Sequence, residues 1–121
     1  MRFRQSNRLK DELSFGRVFK KPKRSQDKMF IVLYQRNDGD TPRLGMAISK
    51  KKCPRATARN RLKRVIRESF RLNQEKINVA DVVVLNQPAA TNADNKTLFD
   101  SLEKHWQTCQ TVLNGEIEKN G

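Results

Sequence analysis

Arginine is the residue type in this chain with the clearest chemistry. Between positions 57 and 71 the chain reads Thr57-Ala58-Arg59-Asn60-Arg61-Leu62-Lys63-Arg64-Val65-Ile66-Arg67-Glu68-Ser69-Phe70-Arg71. A guanidinium group can grip phosphate with two parallel hydrogen bonds and can stack on a base. A helical advance of about 100° per residue puts Ala58, Leu62, Val65, Ile66 and Ser69 on one side, with Phe70 at its edge. Asn60, Arg64, Arg67 and Arg71 fall on the opposite side. Arg59 and Lys63 flank one margin, Arg61 and Glu68 the other. Solvated helix faces ordinarily mix signs, because Glu–Lys pairs at i,i+4 help the helix. Here Glu68 is the lone acid. The crowded positive charge destabilises the helix unless an anion offsets it, so a functional basic face is favoured over a merely solvated one. Asn60 adds both donors and acceptors, which can fix orientation where arginine supplies charge.

The rest of the chain offers little hydrolytic machinery. Protein-borne phosphodiester hydrolysis usually needs clustered carboxylates for metals or a histidine acid–base pair. There is one histidine, His105, beside Trp106. It reads as a surface or core-edge residue, and Trp106 as core. Asp94, Asp100 and Glu103 read as solvated charges near a helix, and Asp38 and Asp40 as turn formers. Cys53 and Cys109 lack zinc-type spacing. With no disulfide framework, the expectation is a cytoplasmic protein with reduced thiols.

Net charge is +13, with a sequence pI of 10.4. A surplus this large in 121 residues implies a polyanionic partner: RNA, DNA or an anionic membrane. No apolar run approaches the ~20 residues of a membrane span. Met1 to Arg8 lacks a signal-peptide apolar region. The charge is unevenly placed. Residues 1–24 carry net +7, residues 25–49 net zero, residues 50–71 net +9 and residues 72–121 net −3. The C-terminal part therefore reads as supporting scaffold. Length and a 36% hydrophobic share fit one domain, 1–121, with a modest core.

Several elements must position the basic residues. Residues 8–20 read as a short helix, with Leu9/Leu13 and Phe15/Phe19 four apart, ended by Lys21-Pro22-Lys23. Met29 to Tyr34 suits a buried strand. Asn37-Asp38-Gly39-Asp40 is a turn. Leu44, Met46 and Ile48 alternate with Gly45, Ala47 and Ser49, a strand with one bulky and one bare face. A helix over roughly 57–73 follows, then a strand at Val82 to Leu85. A last helix, roughly 95–114, lines up Leu98, Leu102, Trp106, Cys109 and Leu113, with Gly115 placed to end it. The order is helix, two or three strands, helix, strand, helix: an α+β sandwich with helices mainly on one face of a sheet.

Two segments together resemble the signature of the bacterial ribonuclease P protein family. They are Leu44-Gly45-Met46-Ala47-Ile48-Ser49-Lys50-Lys51-Lys52 and the run Ala58 to Arg71. In that family a strand ending in Ser-Lys-Lys precedes a helix bearing Arg-Asn-Arg, then Lys-Arg and Arg-Glu. Cys53-Pro54-Arg55 departs from the glycine-containing loop of many members and leaves the path of that loop open.

The resemblance implies a fold like the second domain of ribosomal protein S-five, α-β-β-β-α-β-α, with a left-handed β-α-β crossover. General topology rules would give the right hand. It also implies a ribonucleoprotein partner and a reaction: removal of the 5′ leader from precursor tRNA, and from other structured RNAs. Catalytic groups and Mg2+ would belong mainly to the RNA, with no metal held by the protein alone. Arg59, Asn60, Arg61, Lys63, Arg64, Arg67 and Arg71 would meet the RNA subunit. A cleft between the first helix and the sheet would hold the leader, with Phe15, Phe19 and Tyr34 as stacking faces and Ser49, Lys50, Lys51 and Lys52 beside them. No membrane or DNA partner is expected. A general or ribosomal RNA-binding protein, a basic-helix DNA binder and a free-standing nuclease are the competing readings. Salt-controlled competition between structured RNA and duplex DNA would separate the first two.

Overall fold

A computed structural model describes residues 22–37, 41–77 and 80–120, with side chains through Gly115. The helix expected over 8–20, with Phe15 and Phe19, lies outside the described residues, as do Asp38 and Asp40.

Four strands form one mixed sheet: β1 (Lys23–Gln26), β2 (Phe30–Arg36), β3 (Arg43–Ala47) and β4 (Ala80–Asn86), in spatial order β1-β2-β4-β3. Pairing is antiparallel for β1–β2 and β2–β4 and parallel for β3–β4. Parallel neighbours need a crossover. Helix α1 (Ala56–Leu72) supplies it, so the Arg-rich segment is the connection between the two strands. A short 3-10 helix (Pro88–Asn92) then leads to α2 (Asn95–Asn120).

Register defines the core face. Val32 pairs with Val84 and Tyr34 with Val82, while Leu44 and Met46 oppose Val82 and Val84 from the other side. The apolar stripe of α1 (Leu62, Val65, Ile66, Phe70) and that of α2 (Leu98, Leu102, Trp106, Cys109, Leu113) join these residues in one buried cluster. Phe70 and Trp106 meet edge to face, with centroids 6.1 Å apart. The Trp106 Nε1–H donates to Ser69 Oγ at 2.8 Å, which satisfies the polar atoms of both buried residues. Trp106 is thus core, and both helical stripes lie where periodicity put them. Burial pushes the Cys109 thiol up to about 12, so this cysteine stays protonated.

β1 makes three strands ahead of α1, within the expected two or three, although its KRSQ sequence lacks apolar alternation. It is an edge strand, with Lys23 and Ser25 half-buried, level with Tyr34 and Val32. Two expectations need correction. First, β3 stops at Ala47, so Ile48 and Ser49 lie beyond it, and Gly45 on its bare face is buried opposite Val83. Second, α2 runs through Gly115 to Asn120. No described glycine has positive φ. Gly115 therefore stays in the right-handed helix and makes no left-handed cap.

His105, expected at the surface or core edge, is only 3% exposed. Its Nδ1 is hydrogen-bonded to Ser25 Oγ at 2.6 Å, and its Nε2 lies 3.3 Å from Asp27 Oδ1. Asp27 also accepts from the Ser101 hydroxyl (2.5 Å) and from the backbone N–H groups of Met29 and Phe30 (2.8 and 2.9 Å). These contacts staple β1 and the β1–β2 turn to α2. Burial by itself raises the Asp27 pKa. The Ser101 and backbone hydrogen bonds, with the neighbouring His105, outweigh it, and the carboxyl sits below its ordinary 3.8. The unfolded chain therefore binds this proton more readily. The staple's contribution is fully present above about pH 4 and is lost as pH falls through the depressed value. Asp27→Asn should lower stability at pH 7 yet narrow the loss between pH 5 and pH 2, as read by melting temperature across that range. An unchanged acid limb would show that Asp27 is not the titrating group.

Candidate nucleic-acid interface

The basic residues sit on two adjoining pieces. The turn at Lys50–Lys52 follows β3, and α1 begins a few residues later at Ala56. The start of α1 has no side-chain cap and no acid in its first turn. The partial positive charge of the helix N-terminus thus adds to the field of the lysines. Arg55, at the N-cap and exposed, joins the two pieces. Sequence reasoning counted its charge but did not assign it to the site. Its place just ahead of the helical run was the available signal.

The expected contact residues divide sharply. Asn60 and Arg64 are exposed on the outer side of α1, with Lys63 half-buried beside them. Arg67 is half-buried on the same helix. Arg59 turns back to the preceding loop, where its Nη1 donates to the carbonyls of Cys53 (3.0 Å) and Pro54 (2.7 Å). It thereby fixes the path of the segment Cys53-Pro54-Arg55 that the sequence left open. Arg61 points the other way. Its Nη1 donates to Asn95 Oδ1 at 2.8 Å, and its Nη2 to the carbonyls of Thr91 (3.2 Å) and Ala93 (2.9 Å). Arg71 pairs with Glu68 one turn back, and that guanidinium holds the Glu68 carboxyl below its ordinary range. A surface pair of this kind contributes little to stability. It does offset the charge of Arg71.

In the turn, Lys50 and Lys51 are exposed. Lys52 is half-buried, with Nζ 3.4 Å from Gln87 Oε1. Ser49 is half-buried, and its backbone is held by Asn86. Tyr34 is 2% exposed and belongs to the core cluster. The expectation that it presents an open stacking face runs against this burial. Its place in the register, level with Val82 and in line with Leu44, turns the ring toward the packed side of the sheet. Phe15 and Phe19, the other two expected stacking faces, fall outside the described residues.

A family model described as Ribonuclease P matches residues 3–110. The chain belongs to the ribonuclease P protein family. It is 42% identical over 104 residues to the ribonuclease P protein component of Methylococcus capsulatus, covering 86% of this chain and 81% of that one. Among solved structures, the RNase P protein of Staphylococcus aureus matches with TM-score 0.77 at 31% identity, over 88% of this chain and 97% of that one. That of Thermotoga maritima matches with TM-score 0.74 at 33% identity, over 84% and 96%. The α+β fold is thus that of a ribonuclease P protein. The tRNA-processing role follows from the family. Among the described residues, no three His, Cys, Asp or Glu side chains converge to hold a metal ion, and no helix is long and apolar enough to cross a membrane.

Proposed function

We propose that this chain is the protein subunit of a cytoplasmic ribonuclease P, in which it binds the catalytic RNA through the outer face of α1. The 5′ leader of precursor tRNA would run past the Ser49–Lys52 turn. The observation that carries this reading is the division of labour among the basic groups. Arg59 and Arg61 are spent on protein carbonyls, while Asn60, Arg64, Lys50 and Lys51 face solvent beside each other's elements. Exposed cations on a rigid mount suit phosphate contacts, which fix position and orientation. In this reading hydrolysis of the phosphodiester belongs mainly to the RNA, with Mg2+ held there. The chain's one histidine supports that view, because it is engaged by Ser25 and Asp27 inside the fold.

The test is reconstitution. Purified protein added to a bacterial ribonuclease P RNA at low magnesium should stimulate removal of the leader from precursor tRNA. Rigorously RNA-free protein should not cut it. Site-specific cleavage by the protein alone, or no stimulation of the RNA, would overturn the assignment of roles.

A further inference from the structure

The end of β4 and the segment after it carry none of the charge surplus, yet they grip both basic pieces. Asn86, the last residue of β4, is fully buried and holds Ser49 from both sides. Its Oδ1 accepts from the Ser49 N–H at 2.7 Å, and its Nδ2 donates to the Ser49 carbonyl at 3.4 Å. The Thr91 hydroxyl donates to the Lys52 carbonyl at 2.9 Å. The carbonyl of the same Thr91 accepts from Arg61 on α1. Two ends of the lysine turn and one turn of the arginine helix are thus tied to a single short stretch. Those bonds run from side chains to backbone, where they constrain the path of the chain and leave the side chains of Lys50 and Lys51 exposed.

We infer that Asn86, Thr91 and Arg61 are positioning residues that set the lysine turn at a fixed distance and angle from the outer face of α1. This rests on the reading above, in which the turn meets the leader and the helix meets the RNA subunit. The inference assigns Arg61 of the Arg-Asn-Arg run an internal duty in place of an RNA contact. Thr91 is the hinge of the arrangement, because its hydroxyl and its carbonyl serve different basic pieces. The RNA subunit holds α1, and the leader has one place to lie. A turn held out of register with α1 would forfeit part of its leader contact although no charge had been removed.

The experiment is a double-mutant cycle on the reconstituted holoenzyme with leader-bearing precursor tRNA and mature tRNA as ligands. Thr91→Val keeps the side-chain shape and removes the donor to Lys52. It should weaken precursor binding roughly three- to tenfold, the worth of one hydrogen bond. Mature tRNA binding should hold, and the salt dependence of precursor binding should become shallower. Thr91→Ser should restore wild-type values. In a Lys50→Ala/Lys51→Ala background the effect of Thr91→Val should shrink toward zero. A full-sized effect in that background, or equal losses for both tRNA forms, would overturn the positioning role and leave Thr91 as ordinary packing. If the lysine double variant itself loses no more affinity for precursor than for mature tRNA, the leader reading fails and the clamp fails with it.

Discussion

Arg64→Ala should weaken assembly with the RNA subunit without loosening the fold. Arg64 is exposed on the side of α1 opposite Leu62, Val65 and Ile66, so the substitution opens no cavity and leaves no buried partner. Surface changes of this kind usually stay within about 0.5 kcal/mol in stability. If the guanidinium meets phosphate, its loss removes about one released counterion. The slope of log affinity against log salt should then flatten by about 0.7–0.9. Affinity at physiological salt should fall several-fold, and Arg64→Glu should do worse by adding repulsion. Leu62→Ala is the contrast on the same helix. Leu62 is fully buried in the core, and truncation should cost about 2–5 kcal/mol through the cavity it leaves. Its salt slope should not change in the fraction that stays folded. Arg61→Ala should resemble neither. It cuts three hydrogen bonds that join α1 to the 3-10 helix, the connection after it and the start of α2, so melting temperature should drop along with RNA affinity. Calorimetry and filter binding over a salt series would separate the three. An Arg64→Ala protein with wild-type affinity and slope would remove this face of α1 from the interface.

The contrast between Arg64 and Arg61 marks the limit of what the sequence could say. Helical periodicity placed Leu62, Val65, Ile66 and Phe70 in the core because a stripe repeats with the helix. The same geometry carried Leu98, Leu102, Trp106, Cys109 and Leu113 on α2. Periodicity also set Arg61 and Arg59 at the margins of the basic face. It could not show where a long side chain would bend, and both bend onto carbonyls from other segments. β1 escaped notice for a related reason. An edge strand buries little, and its two half-buried residues, Lys23 and Ser25, are polar, Ser25 being held by a histidine 80 positions away. Asn86 and Thr91 look like ordinary strand-end and loop residues. Their partners are backbone atoms nearly 40 positions distant, and such contacts leave no local pattern. Family resemblance supplied the expected roles of the Arg-Asn-Arg run and the leader cleft. It did not separate the arginines that face solvent from those that hold the protein together.

Tyr34 and the two exposed lysines should separate when the leader is tested. Tyr34→Ala removes a large side chain from the packed side of the sheet, between Val82 and the partner strand β1. The expected cost is about 3–5 kcal/mol, the usual range for truncating a buried aromatic. That is a large part of the stability of a domain this size. Precursor and mature tRNA binding should then decline together, in step with the unfolded fraction. Lys50→Ala/Lys51→Ala should leave the melting temperature within a few degrees, because both side chains are exposed. Its affinity for leader-bearing precursor tRNA should fall by about tenfold at low salt, with mature tRNA little affected, if each lysine meets a leader phosphate. Tyr34→Phe sharpens the comparison, since it keeps the ring and discards only the hydroxyl. A stacking role for the ring would survive that change and show as precursor-selective loss in Tyr34→Ala measured well below its melting temperature. Base stacking on an aromatic ring is worth about 1–3 kcal/mol, so the selective component would be at least several-fold. Equal losses for both tRNA forms in folded Tyr34→Ala protein would place the ring wholly in the core. The leader would then rest on Lys50, Lys51 and the aromatic pair Phe15 and Phe19.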